Sequence, residues 1–214
     1  MQYAVPLAEF PTQIMASHVI ASRYFPFYST FSPIQKYEWL AWTSTVMFQS
    51  VFTLSYLYFD ISPETLGLYF FGHIAYDTAF LFFYCNDPMM YIHHAASMAV
   101  CAGMYLFGGD VIGQVSDAVA FLECSNILLG TVWLLNRAGY GKTWILKTLG
   151  AVALVTYIAL RAYFFPRYLI LFASRPVAMM LAIFVPMNLV WCWKLVGYYA
   201  HIAFAKKAGV GRLE

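Results

Sequence analysis

The chain has 214 residues, of which 62% are hydrophobic and 10% charged, against roughly 45–50% and about 25% in soluble domains. That imbalance excludes an ordinary soluble fold. A net charge of +2, with no basic cluster larger than Lys206-Lys207, excludes a nucleic-acid surface. The 20% aromatic content suits a lateral surface that faces acyl chains and ends that sit in a headgroup layer.

Residues 1–38 come first and lack the pattern of a cleaved secretory signal, so they are expected to stay on the mature protein. Pro6, Pro11, Pro26 and Pro33 leave room for one short helix, in which Ile14, Met15, Val19 and Ile20 recur at helical spacing. An interfacial helix is the expected form.

A spanning helix needs about 20 mainly apolar residues. The windows Trp39–Phe59, Leu66–Tyr84, Met89–Phe107, Val111–Leu135, Trp144–Phe165 and Val177–Ala200 meet that need. They predict an all-α polytopic bundle of about six spans over residues 39–200, followed by a basic tail over 201–214. Short connections carrying Asp60-Ile-Ser-Pro63, Asn86-Asp87-Pro88, Gly108-Gly109-Asp110 and Asn136-Arg-Ala-Gly139 leave no room for a soluble domain. Arg23, Lys36, Arg137, Lys142, Lys147, Lys206, Lys207 and Arg212 fall on one side of this bundle, here called inner. The positive-inside bias then predicts both termini on the cytosolic or equivalent side.

Charged side chains within a span cost about 2.5–3.5 kcal/mol each on insertion scales, so those present need a reason. Asp77, Asp117, Glu123 and Arg161 are such residues, accompanied by His73, His93, His94, Asn126 and Asn188. Depth along the helices divides them. Arg161 and Asp117 fall toward the outer interface and are expected to form a structural ion pair. His93, His94, Asp77 and Glu123 fall deeper on the inner side and are expected to share one polar pocket. Tyr76 joins it because His73, Tyr76 and Asp77 occupy i, i+3 and i+4 on one helix face, and Asn126 joins it through its i+3 relation to Glu123. His73 itself is read as structural. Adjacent histidines point about 100° apart on a helix, so one can face a ligand while the other braces a neighbouring helix. Cys85, Cys101, Cys124 and Cys192 show no metal or disulfide spacing and are read as buried thiols, and no metal site is expected.

The series Lys36-Tyr-Glu-Trp39, Gly72-His-Ile-Ala-Tyr-Asp77, Asp87-Pro-Met-Met-Tyr-Ile-His-His94 and Arg161-Ala-Tyr-Phe-Phe-Pro166 resembles, in order and content, the TLC-domain family of lipid-handling membrane proteins that includes the ceramide synthases. The resemblance covers roughly residues 36–200. It implies a TLC-like bundle enclosing a cavity for a long acyl chain, with the paired histidines lining it. It also implies that His93 or His94 would be the nucleophile or general base of an acyl transfer, with acyl-CoA as substrate and no other cofactor. Span four departs from the synthase pattern: it reads Gln114-Val-Ser-Asp117-Ala-Val-Ala-Phe-Leu-Glu123-Cys-Ser-Asn126, with its two acids on different helix faces. In this it is closer to the small TLC-domain proteins that influence membrane lipid composition.

The expected function is therefore binding or processing of lipid acyl chains inside the membrane, with membrane lipids as partners. The alternative is a non-catalytic subunit of a larger intramembrane complex, with other integral membrane proteins as partners. The expected location is an intracellular membrane, the endoplasmic reticulum first and the mitochondrial inner membrane as the alternative.

Overall fold

The computed structural model describes residues 15–58, 62–84 and 87–205, and among these there is helix and no strand. In chain order the elements are α1 (residues 15–24), a 3₁₀ turn (Pro26–Thr30), α2 (Pro33–Tyr58), α3 (Pro63–Tyr84), α4 (Pro88–Phe107) and α5 (Asp110–Arg137). After a second short 3₁₀ turn, α6 (Trp144–Ile158) runs through a π-helical stretch (Ala159–Phe164) into α7 (Phe165–Leu171). Then come α8 (Arg175–Leu181) and α9 (Phe184–Ala205).

Local chemistry sets these boundaries. Pro33, Pro63 and Pro88 each open a helix, where the missing N–H has no intrahelical partner to lose. Asp87 caps α4 by accepting from the Met89 N–H at 3.0 Å, and Thr143 caps α6 by accepting from the Leu146 N–H at 3.3 Å. Gly108 and Gly109, at φ 61° and 52°, make the tight connection from α4 to α5 in a backbone region that disfavours side chains.

Among the described residues, two helices are long and apolar enough to cross a membrane: α5 and the continuous helix Trp144–Leu171, each of 28 residues. The pair α8 and α9 becomes a third if counted as one bent span. α2, α3 and α4 have 26, 22 and 20 residues, or roughly 30–39 Å, and are not among the helices that meet this test over the described residues. The last predicted span, Val177–Ala200, is not one straight helix. It bends by 40° between Leu181 and Phe184. Pro186 has no N–H for the Ala182 carbonyl, which accepts instead from the Val185 N–H at 3.1 Å in a tighter turn.

α5 is central and packs against α2, α3, α4 and α6, most extensively against α2. At that crossing Gly130 lets the backbones approach: a Cβ there would overlap Val46 Cγ2 and lie 3.1 Å from Trp42 Cε3. One apolar cluster, including Phe52, Phe70, Met104, Val115, Phe165 and Leu181, fills the outer half of the bundle. A second cluster at the inner end joins Ala21, Tyr28, Trp39 and Leu40 to Trp133.

The N-terminal helix packs on the bundle. Ile14 lies outside the described residues. α1 stands beside α2, with Ser17 Oγ 4.0 Å from Met47 Sδ, a point roughly 20 Å along α2 from its start. Ser17 and Ala21 are buried on the side facing the bundle, whereas Met15, Val19 and Ile20 face outward. A hydrogen bond of 2.9 Å between His18 Nδ1 and the buried Tyr28 hydroxyl ties the segment down. Cys101 and Cys192 are buried free thiols and Cys124 is a half-buried one; Cys85 lies outside the described residues.

Candidate functional site

A cavity of about 600 Å³ opens among α2, α3, α4, α5, the π stretch and α9. Its walls are apolar, with Ala41, Trp42, Ile74, Leu81, Leu129 and Trp191 among them. Gln49, His73, Asp77, His93, His94, Glu123, Asn126 and Arg161 bring polar groups to it, and Glu38, Asp87 and Lys194 stand toward the inner helix ends. Two ion pairs lie in that region: Lys194 Nζ to Asp87 Oδ2 at 3.0 Å, and Arg137 Nη2 to Glu38 Oε2 at 3.2 Å. The Lys194 ammonium, followed by the Met89 N–H, holds the Asp87 carboxyl below the usual carboxylate range.

α3 and α4 together build a histidine–carboxyl pair. The Thr78 hydroxyl donates to the Ile74 carbonyl at 2.6 Å, as threonines in helices commonly do. Its oxygen is then the acceptor for His94 Nδ1–H at 2.9 Å. This assigns the His94 tautomer and leaves Nε2 bare, 3.4 Å from Asp77 Oδ2. A proton between those two atoms can belong to either, so the pair can take up or deliver one to a group in the cavity. His94 is 2% exposed, so its ring is held in place where it meets the cavity.

α5 supplies a second polar group. Glu123 Oε2 accepts from Asn126 Nδ2 at 2.9 Å and from Gln49 Nε2 of α2. Asn126 turns its other end to Arg161, its Oδ1 accepting from Nη2 at 3.1 Å, so one amide links a cation to an anion. Arg161 also donates through Nε to Ser125 Oγ at 3.1 Å, through Nη1 to Asn188 Oδ1 at 2.9 Å and through Nη2 to the Leu122 carbonyl at 3.2 Å. Its guanidinium carbon lies 4.7 Å from the centre of the Tyr157 ring. Four hydrogen bonds and an aromatic face explain how an arginine only 3% exposed is tolerated there. The π-helical stretch that carries Arg161 is the kind of local widening often found at functional sites.

The expected pair Arg161–Asp117 does not form. Asp117 instead accepts from the Tyr56 hydroxyl of α2. Arg161 is bonded to Ser125 and Asn126, eight and nine residues further along α5 than Asp117, or roughly 12–13 Å. Tyr76 does not line the cavity and packs against the apolar clusters. His73, read as structural, does line it, with its ring stacked on Phe48 at 4.1 Å. His93, His94, Asp77, Glu123 and Asn126 all line this cavity.

Sequence reasoning missed Gln49 and Lys194, although the depth argument that singled out Asp77 applies equally to a glutamine and a lysine within spans. Asn188 was noticed but given no role; it is the partner that α9 supplies to Arg161. Among the described residues no three His, Cys, Asp or Glu side chains gather as a metal site.

No family model, curated protein or solved structure matches this chain. Geometry and chemistry therefore carry the functional reading.

Proposed function

We propose that the chain is an integral membrane protein crossing the bilayer six times, and that its cavity houses the acyl chain of a lipid with the reactive end at the His94–Asp77 and Glu123–Arg161 groups. The observation that carries the reading is the cavity itself. Its volume of about 600 Å³ lies within the usual 300–1,000 Å³ of small-molecule sites, and it combines apolar walls with a few convergent polar groups. Intramembrane ionisable residues are expensive, and here all those singled out except Asp117 converge on one void. The motif order resembling the TLC-domain family supports the same substrate class. Arg137, Lys142 and Lys147 at the inner ends favour a cavity mouth on the cytosolic side of an endoplasmic reticulum membrane.

Acyl transfer is the reaction this chemistry suits. Nε2 of His94, with the Asp77 carboxyl beside that same nitrogen, would take the proton from an attacking hydroxyl or amine as the acyl–thioester bond of acyl-CoA breaks, and return it to the thiolate that leaves. Purified protein given acyl-CoA and long-chain amines or alcohols should turn over, and His94→Ala should lower the rate by at least about 100-fold, the low end of general-base contributions. Turnover retained in that variant would remove His94 from the mechanism.

A further inference from the structure

A second, smaller void of about 30 Å³ also borders His93. Ala118 and Leu122 of α5, Leu181 at the end of α8 and Phe184 at the start of α9 form much of its apolar wall. His93, Ser97, Glu123, Arg161 and Asn188 bring polar groups to it. A water molecule needs at least about 10–15 Å³ of such space and two to four polar partners, so this void has room for one or two waters.

Asn188 Nδ2 and His93 Nδ1 are among the buried atoms that lack a hydrogen-bond partner within the described residues. Asn188 is 1% exposed and cannot turn to relieve this, because its Oδ1 accepts from Arg161 Nη1 at 2.9 Å and the amide is held in that orientation. Away from bulk water an orphaned group of this kind is costly unless a water satisfies it. Both residues line the same void.

We propose that the void is a site for one internal water molecule that accepts from Asn188 Nδ2–H and donates to His93 Nδ1. Its second hydrogen has the Glu123 carboxyl as an acceptor on the same wall. The water is a positioning element: it keeps Nδ1 of His93 bare and leaves the proton on Nε2. His94 carries the opposite tautomer, set by Thr78. The two neighbouring histidines thus present complementary groups, an N–H donor from His93 and a bare nitrogen from His94. The bend between α8 and α9 contributes by bringing Leu181, Phe184 and Asn188 onto one void. This inference goes beyond the proposed acyl site and would hold whatever fills the larger cavity.

The test uses full-length protein in lipid nanodiscs, with histidine nitrogens labelled with ¹⁵N, together with a structure determined at a resolution that shows ordered water. The expected result is one water within hydrogen-bonding distance of Asn188 Nδ2 and His93 Nδ1, with His93 protonated on Nε2 and His94 on Nδ1. Ala118→Val puts two methyl groups into the void and leaves every polar partner in place. It should expel the water and convert His93 to a mixture of tautomers without changing His94. A map that shows other buried waters but none here, a His93 protonated on Nδ1, or a tautomer unmoved by Ala118→Val would each overturn the proposal. The wild-type map and spectrum decide even if the variant does not fold, and lipid retention measured on the same sample reports separately on the larger cavity.

Discussion

Gly130 offers a sharp test of the packing that shapes the cavity. In Gly130→Ala the new Cβ would overlap Val46 Cγ2 and press on Trp42 at 3.1 Å. Val46 is β-branched and has little rotamer freedom in a helix, so the relief must come from separating α2 and α5. Overpacking of this kind costs about 1–3 kcal/mol, while replacing glycine within a helix returns about 0.8–1.0 kcal/mol. The net loss should be about 1 kcal/mol, which for a chain of this size lowers the apparent Tm by roughly 2–4 °C. Unfolding in nanodiscs can be followed with a thiol-reactive dye at one fixed scan rate in a Cys85→Ser, Cys124→Ser background, because the remaining Cys101 and Cys192 are 0% and 7% exposed and react only on opening. Val46→Ala removes the obstructing methyls, so Gly130→Ala combined with Val46→Ala should be more stable than the sum of the single changes by about 1 kcal/mol. Wild-type stability in Gly130→Ala, or strict additivity in the double variant, would refute the close crossing.

Arg161→Met deletes four hydrogen bonds, worth roughly 0.6 kcal/mol each between membrane helices, and an aromatic contact of about 1–2 kcal/mol, but it recovers roughly 2.5–3.5 kcal/mol by removing a buried charge. A loss under about 2 kcal/mol is expected for it. Arg161→Lys keeps the charge and lacks the planar fork, so it should destabilise at least as much, and a wild-type apparent Tm for the lysine variant would contradict the assigned network. The Asp87–Lys194 pair should respond to acid. Since the folded-state pKa of Asp87 lies below its unfolded value, the stability the pair contributes is present above about pH 4 and is lost as pH falls through the lower folded value. Both partners are substantially exposed, so the contribution should stay below about 1 kcal/mol. Its removal in Asp87→Asn should flatten this part of the pH–stability profile, and an unchanged profile would count against the pair.

Much of the bundle was legible in the sequence because proline, glycine and aspartate punctuate it strongly. Asp87-Pro88 and Gly108-Gly109 mark the ends of α4 without ambiguity. Hydropathy windows do not register a bend, however, and Pro186 passed inside an apolar run even though it divides α8 from α9. The periodicity of Met15, Val19 and Ile20 shows which residues share a face of α1, but not whether the opposite face meets headgroups or the flank of α2. Counting depth along straight helices placed Arg161 near Asp117; the π-helical stretch and the partners on α5 and α9 are tertiary facts that no count contains. His73 and Tyr76 show the same limit within one helix face. Three residues apart, they fall within one broad arc, and only His73 reaches the cavity.

The central claim, that an acyl lipid occupies the cavity, is tested most directly by mass spectrometry of lipid retained on protein purified in mild detergent. Ala41 lines the cavity, whereas Val152 is 48% exposed on the outward face of α6. Wild-type protein and Val152→Trp should each retain one predominant acyl-lipid species at near-equal stoichiometry, and Ala41→Trp, which fills the cavity, should lose it. A retained mixture matching the bulk membrane in all three proteins would contradict the account.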